Sequence, residues 1–367
     1  NQRCHPCESR GPRSPRTGFL LPDQVEDKFR RNDKTPFPQQ EIVKWEIEQM
    51  RILVAGGAGY IGSKLIPVLL EHGYKIDVVD LLWFGNHLPQ NVSVVKKDLF
   101  KCQPEDLKDY DQVIFLAGLS NDPMAEFDPS MNFIFNGALP SYTAFIAKKA
   151  GVKRFIYASS CSVYGYTVNE LYDENSPVTC GYPYGISKLQ GERGVLQLQD
   201  ESFSVIALRQ GTVCGYSPRM SLDLIVNTMF KFAMADRKIT INNPSIWRPI
   251  LDIRDAATAY LRAIQADYSL SGVYNIASGN YTVGQVGDMV KYEVEKLVGQ
   301  RVEIVLKNIE DFRNYKVSID KAKTYLGYQP RHAIEDIIDD LYENRAQFEN
   351  YDEERFYNIR VFKKVAG

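Results

Sequence analysis

Short apolar blocks alternate along this chain with segments whose apolar residues recur at helical spacing. Ile52-Leu-Val-Ala55 reads as a buried strand, and Leu65, Ile66, Leu69 and Leu70 mark one face of a helix over 63–72, closed by Gly73. Further strands are predicted at Lys75 to Asp80, Val92 to Val95, Gln112 to Ala117 and Lys153 to Ala158. Between them fall a short helix over 104–109 and a long one from Pro129 to Ala150, stopped by Gly151. Pro183 opens a helix over 183–199. Later helices are read at 221–234, 253–263 and 285–298. Strands alternating with helices through long connections predict an α/β fold with a doubly wound parallel sheet. Such sheets bind ligands beyond the carboxyl ends of their strands, so the loops after Ala55, Asp80, Ala117 and Ala158 should converge on one cleft.

The first turn carries Gly56, Gly59 and Gly62 between a strand and a helix, the context of a dinucleotide site. Gly56 would allow the tight turn, Gly59 the approach of a pyrophosphate, and Gly62 close packing of helix on strand. The helix start offers free N–H groups to phosphate. Asp80 ends the next strand, 18 residues after Gly62, near the spacing of a carboxylate that accepts from the adenosine ribose. A carboxylate repels a 2′-phosphate, and Leu81-Leu82-Trp83 supplies no Arg, so the expected cofactor is NAD rather than NADP.

Composition narrows the setting. The chain has 367 residues, 44% hydrophobic and 25% charged, as a soluble globular protein does. A net charge of −2 supplies no field for nucleic acid. No apolar run reaches the length of a membrane span. Six irregularly spaced cysteines suggest free thiols in a reducing compartment, and a cytoplasmic location is expected. Cys4-His5-Pro6-Cys7 has no second ligand pair, so no metal site is expected. Residues 1–49, rich in Arg and Pro without an apolar secretory core, are expected to be a disordered extension, with organelle targeting left open. The folded unit should begin near Met50, with a dinucleotide-binding domain over 50–210. A smaller α/β substrate domain is expected over 211–345, with 250–270 returning to the first, and a tail over 346–367.

The candidate chemistry follows the fifth strand. Ala158-Ser-Ser-Cys-Ser-Val-Tyr-Gly165 is a hydroxyl-rich loop, and Tyr184 and Lys188 share one face of the next helix. Tyr60…Lys64 and Tyr292…Lys296 repeat the spacing, but the first lies in the phosphate loop and the second in a charged helix. Position singles out Tyr184 and Lys188. The ordered set Gly56-Gly-Ala-Gly-Tyr-Ile-Gly62, Asp98-Leu99, Leu116-Ala-Gly118, Ser159 to Gly165, Tyr184-x-x-x-Lys188, Leu208-Arg209…Tyr216-Ser-Pro-Arg219, Trp247-Arg-Pro249 and Tyr274-Asn-Ile-Ala277 resembles the extended short-chain dehydrogenase/reductase family. Within it, the resemblance is to the nucleotide-sugar epimerase/dehydratase branch, over about residues 50–345.

That resemblance implies a Rossmann-type fold and a set of roles. Tyr184 would be the acid/base on a sugar hydroxyl, its phenol lowered from near 10 by Lys188 and a cationic nicotinamide. Lys188 would also hold the nicotinamide ribose, and Ser160 would share the sugar oxygen. Tyr60, Ile61, Asp98, Leu99 and Ala117 would join the glycines and Asp80 around NAD. Asn121, Thr212, Arg248 and Arg313 would meet a nucleotide-diphosphate sugar, although Thr212 stands where the family has Asn and Asp252 where it has His. Dehydratases and decarboxylases of the branch carry an acid after the catalytic hydroxyl; here Cys161 and Ser162 occupy those positions. C4 epimerisation through a 4-keto intermediate is therefore expected. A 4-ketosugar reductase, a 3,5-epimerase, a dehydratase and a catalytically silent NAD-binding sensor remain alternatives. The 3,5-epimerase cysteine would fall at Ser162, and Cys161 reads as a small buried residue. The resemblance further implies a homodimer through the helices at 129–150 and 183–199.

Overall fold

The apolar block at Ile52 becomes an interior strand of a seven-stranded sheet in the computed structural model of the chain. The structure describes residues 50–307 and 313–366; the expected extension at 1–49, with Cys4 and Cys7, lies outside the described residues. The first half runs β1 (Arg51–Ala55), α1 (Tyr60–Glu71), β2 (Lys75–Asp80), β3 (Ser93–Lys96), α2 (Pro104–Leu107) and β4 (Gln112–Phe115). It continues through α3 (Asp122–Phe127), α4 (Pro129–Phe133), α5 (Leu139–Ala150), β5 (Arg154–Ser160), β6 (Tyr166–Tyr172), α6 (Pro183–Leu196) and β7 (Ser204–Gln210). Then come β8 (Thr212–Cys214), α7 (Ile225–Asp236), β9 (Lys238–Asn242), β10 (Trp247–Asp252), α8 (Ile253–Gln265) and β11 (Gly272–Ile276). The remainder is β12 (Gly279–Thr282), α9 (Val283–Val298), β13 (Glu303–Lys307), β14 (Asn314–Val317), α10 (Asp320–Leu326), α11 (Ile334–Glu343) and α12 (Asn358–Ala366).

The main sheet has the order β11-β7-β5-β4-β1-β2-β3, every pair parallel. Helices cover both faces, which is why β4 and β5 read as unbroken apolar runs. On one face Ile52, Val54, Ile114 and Ile156 pack with Leu65 and Leu69 of α1 and Tyr260 of α8. On the other, Leu53, Phe115, Phe155 and Tyr157 pack with Leu139 and Ala147 of α5. Ala55 is level with both Val79 and Phe115, and Phe115 with Tyr157, so the connecting loops leave at one edge. Strand order reverses between β1 and β4, which opens the crevice there.

The smaller lobe holds the β12-β10-β8 sheet and the β13-β9 pair around Phe230, Ile250, Val286, Val290, Ile337 and Phe348. The chain returns to the main sheet beyond the expected 250–270, since β11 forms its seventh strand. The tail is part of the fold: Phe348 and Phe356 are buried in the small lobe, and Phe362 of α12 packs on Leu119 and Met124 beside Trp83.

Two element boundaries differ from expectation for physical reasons. α1 begins at Tyr60 rather than Ser63, because its first turn lies where the core edge meets the cleft, and Tyr60 reaches the Gly215 carbonyl, so the apolar spacing there departs from a single helix face. The helix expected over 129–150 is interrupted by a π-helical turn, Ile134–Ala138. Pro140 brings no N–H to the Asn136 carbonyl, and the Tyr157 hydroxyl bonds it instead at 3.2 Å. Among the described residues, no helix is long and apolar enough to cross a membrane.

Candidate active site

The glycine turn is shaped by its neighbours. Gly56 sits at φ +77°, and a Cβ there would lie 2.4 Å from the backbone nitrogen of Ala117. Gly62 is also obligatory, but its Cβ would strike the Gly57 carbonyl at 2.1 Å, so the close packing is against the turn itself rather than the strand. Gly59 differs: a Cβ would meet only the Gly56 carbonyl, at 3.3 Å. The chain itself therefore leaves room for a Cβ at Gly59, which borders the open cleft. Asp80 accepts from the Ala58 N–H at 3.0 Å and the Leu82 N–H at 2.7 Å. Burial pushes its carboxyl up while those bonds pull it down, and each oxygen keeps a lone pair for a ribose hydroxyl. Asp98 accepts from the Phe100 N–H at 3.0 Å, and Leu99 is buried beside it. The Tyr60 hydroxyl donates to the Gly215 carbonyl at 2.6 Å, joining the two lobes.

The reactive groups gather where β5 ends and α6 begins. The Ser160 hydroxyl accepts from the Ser162 hydroxyl at 2.8 Å and lies near enough to the Tyr184 phenol to pull its pKa down. Lys188 lies one turn further along α6, its Nζ 4.8 Å from the Tyr157 ring centroid. Burial drives the Lys188 ammonium down to about 7, with Glu192 partly opposing. In the chain without cofactor, burial, followed by the Asp122 charge, holds the Tyr184 phenol above its ordinary value, while Ser160 pulls it down.

A buried network behind these groups was not foreseen. Glu192 accepts from the Ser159 hydroxyl at 2.6 Å and from Arg209 at 2.9 and 2.6 Å. Arg209 also donates to the Tyr164 hydroxyl at 2.8 Å, which donates to the Asn275 side chain at 2.8 Å. The network ties β5, α6, β7 and β11 together beneath the reacting loop. Its sequence signal is the spacing of Tyr184, Lys188 and Glu192, four apart on one helix face. Cys161 is fully buried, its thiol pushed up by burial and set 3.1 Å from the Arg209 carbonyl. It is a packing residue, and Ser162 faces the cleft in its place.

On the small-lobe side, Asn121 accepts from the Met124 N–H at 3.1 Å and donates to Asp223 at 3.1 Å, so it caps α3 and ties the lobes. Thr212 opens β8 on the cleft wall. Arg248 stands 5.5 Å from the Tyr315 ring centroid and donates to the carbonyls of Trp247 and Arg313. Arg313 pairs with Asp122 across the cleft. Asp252 caps α8 and pairs with Arg254 at 2.6 Å, a structural task. The second Tyr–Lys spacing lies on a solvated face: Tyr292 is exposed and Lys296 pairs with Glu293.

Every residue named from sequence for the catalytic, cofactor or substrate set borders one cleft of about 700 Å³. Asp122, Arg219, Asp223 and Asn358 border it as well and had no role assigned. A strand–glycine turn–helix at the sheet's switch point, opening onto a neighbouring Ser and Tyr and a buried lysine, defines a dinucleotide-dependent site of the short-chain dehydrogenase/reductase class. Residues 52–277, more than half the chain, match the NAD dependent epimerase/dehydratase family. The chain belongs to that family, and NAD is its cofactor. It is 29% identical over 338 residues to UDP-glucose 4-epimerase 3 of Oryza sativa subsp. japonica, covering 79% of this chain and 88% of that one. UDP-glucose 4-epimerase of Bacillus subtilis is 27% identical over 329 residues, with 79% and 95% covered. The solved structure of MoeE5 in complex with UDP-glucuronic acid and NAD superposes with a TM-score of 0.71 at 25% identity, covering 81% of this chain and 99% of that one.

Proposed function

We propose that this chain is an NAD-dependent nucleotide-sugar epimerase acting at C4. The observation that carries the reading is Ser160 and Tyr184 together on the cleft wall with no carboxylate in the two positions after Ser160. That set can move a proton on and off a sugar hydroxyl but has no loop base for a neighbouring C–H. NAD, when bound, supplies reversible hydride acceptance and a positive charge near the phenol. Tyr184 takes the hydroxyl proton as the sugar is oxidised and returns it on reduction, while Ser160 orients the same oxygen. Lys188 fixes the cofactor ribose from below. Arg248 and Arg313 suit the substrate diphosphate, since a guanidinium fork matches phosphate oxygens. Arg313 would exchange Asp122 for that anion. The UDP-glucose 4-epimerase relatives make UDP-hexoses the first substrates to try.

A homodimer through the segments 129–150 and 183–199 is part of the same reading, supported by exposed Ile134 and Phe145 along the first of them. The test is a UDP-sugar panel incubated in D2O and followed by mass spectrometry and NMR. A C4 isomer of unchanged mass is expected, without deuterium, because hydride returns from within the site. Deuterium uptake or loss of water would overturn the C4 assignment. Tyr184→Phe should lower turnover by roughly 10²- to 10⁴-fold while NAD stays bound. A variant of near wild-type rate would remove Tyr184 from the mechanism.

A further inference from the structure

We propose that Arg219 is a dinucleotide-binding residue supplied by the small lobe, its guanidinium taking the diphosphate of NAD while Asn358 of α12 positions it. Arg219 is only 3% exposed yet borders the cleft. The Phe84 ring covers one face, 3.6 Å from the guanidinium carbon to the ring centroid. Nη2 donates to the Asn358 side-chain oxygen at 2.5 Å, and Nε is buried without a hydrogen-bond partner. No carboxylate forms an ion pair with it among the described residues. The nearest acid by electrostatic effect, Asp223, already accepts from the Ser221 hydroxyl, the Asn121 amide and the Asn358 N–H. A cation buried and left this incompletely paired is costly unless a ligand completes it.

Its surroundings identify that ligand. Arg219 is electrostatically coupled to Tyr60 and to Asp80. Tyr60 opens α1, where free N–H groups and the positive helix end favour phosphate. Asp80 ends β2, the place of the adenosine ribose. Ser217, two residues before Arg219, donates to the Tyr60 carbonyl at 2.7 Å, and Tyr60, Asp80 and Arg219 border one cleft, so the guanidinium can meet the anionic backbone of the dinucleotide with charge-assisted geometry that Lys would not reproduce. Burial lowers the guanidinium to about 10, which an adjacent dianion would reverse. Asn358 also donates to the Ser120 hydroxyl at 2.5 Å, so α12 links the guanidinium to the loop after β4.

The experiment compares equilibrium dialysis of NAD, ADP-ribose, adenosine and UDP against the full chain, wild type and the variants Arg219→Met, Arg219→Lys and Asn358→Ala. Arg219→Met should weaken NAD and ADP-ribose by roughly 10- to 100-fold, the range of a lost hydrogen bond to a charged group, and leave adenosine unchanged. Arg219→Lys should fall between, and Asn358→Ala should weaken ADP-ribose while sparing adenosine. Equal losses for ADP-ribose and adenosine would reduce Arg219 to a packing role and overturn the proposal. A loss confined to UDP would assign Arg219 to the sugar nucleotide and overturn it too. If Arg219→Met does not fold, unchanged ADP-ribose binding in both Arg219→Lys and Asn358→Ala would defeat it.

Discussion

Lys188 is held in its site at the expense of stability, and the amount can be measured. Its ammonium falls from an ordinary 10.5 to about 7 because burial outweighs the help of Glu192. Between those pH values the unfolded chain binds a proton that the folded chain refuses. Stability therefore falls as pH is lowered from 10.5 towards 7, at about 1.4 kcal/mol per pH unit, and levels off below. The full difference is about 5 kcal/mol, from the 3.5-unit gap between 10.5 and about 7. Lys188→Met removes the charge and keeps a stem of similar length against Tyr157, at a packing cost of about 1 kcal/mol. In cofactor-free protein the variant should match wild type near pH 10 and become more stable by about 3–4 kcal/mol at pH 7. Urea unfolding of both proteins at pH 7, 8 and 9 tests this, since other titrations cancel in the difference. A stability difference that stays level across that range would refute the reasoning. The same variant should lose turnover, the usual cost of relieving a strained site.

Two further outcomes follow from the buried contacts. Glu192→Gln leaves the Arg209 guanidinium buried without its carboxylate and should cost about 3–5 kcal/mol, read as a fall in thermal midpoint; a loss under about 1 kcal/mol would show that Tyr164 and backbone groups hold Arg209 unaided. Phe362→Ala should cost about 3–5 kcal/mol and speed release of NAD on gel filtration, because Phe362 fills the space between Leu119, Met124 and Trp83 at the cleft wall; unchanged denaturation and retention would mean that α12 is a passive attachment.

What could be read from sequence was local, and what could not was made by distant partners. The strand–glycine turn–helix unit and the Tyr184–Lys188 face repeat at fixed spacing, so they were visible without a structure. The start of α1 was misplaced because Tyr60 answers to Gly215, not to the helix period. The role of Gly62 was misread because its clash partner is the Gly57 carbonyl, which no pattern of residue types reveals. Arg219 stood inside a quoted motif, but its burial depends on Phe84 and Asn358, far away in the chain. The enclosure of Tyr184 likewise depends on distant groups such as Asp122, which spacing does not report. The β14–β6 pair is parallel and joins segments far apart, so neither strand announces the other.

The seventh strand carries a consequence for how the protein comes to be. Ile206 pairs with Gly272, and the whole excursion through β8, β9 and β10 lies between them. The edge of the cofactor-binding sheet therefore closes only after that excursion has folded back, a long-range contact whose loop entropy must be met first. The two lobes are thereby joined in assembly: neither is a bead that can be expressed, replaced or inherited apart from the other. A lesion deep in the small lobe will be felt as slow maturation of the main sheet, and quality control in the cell will treat the two as one.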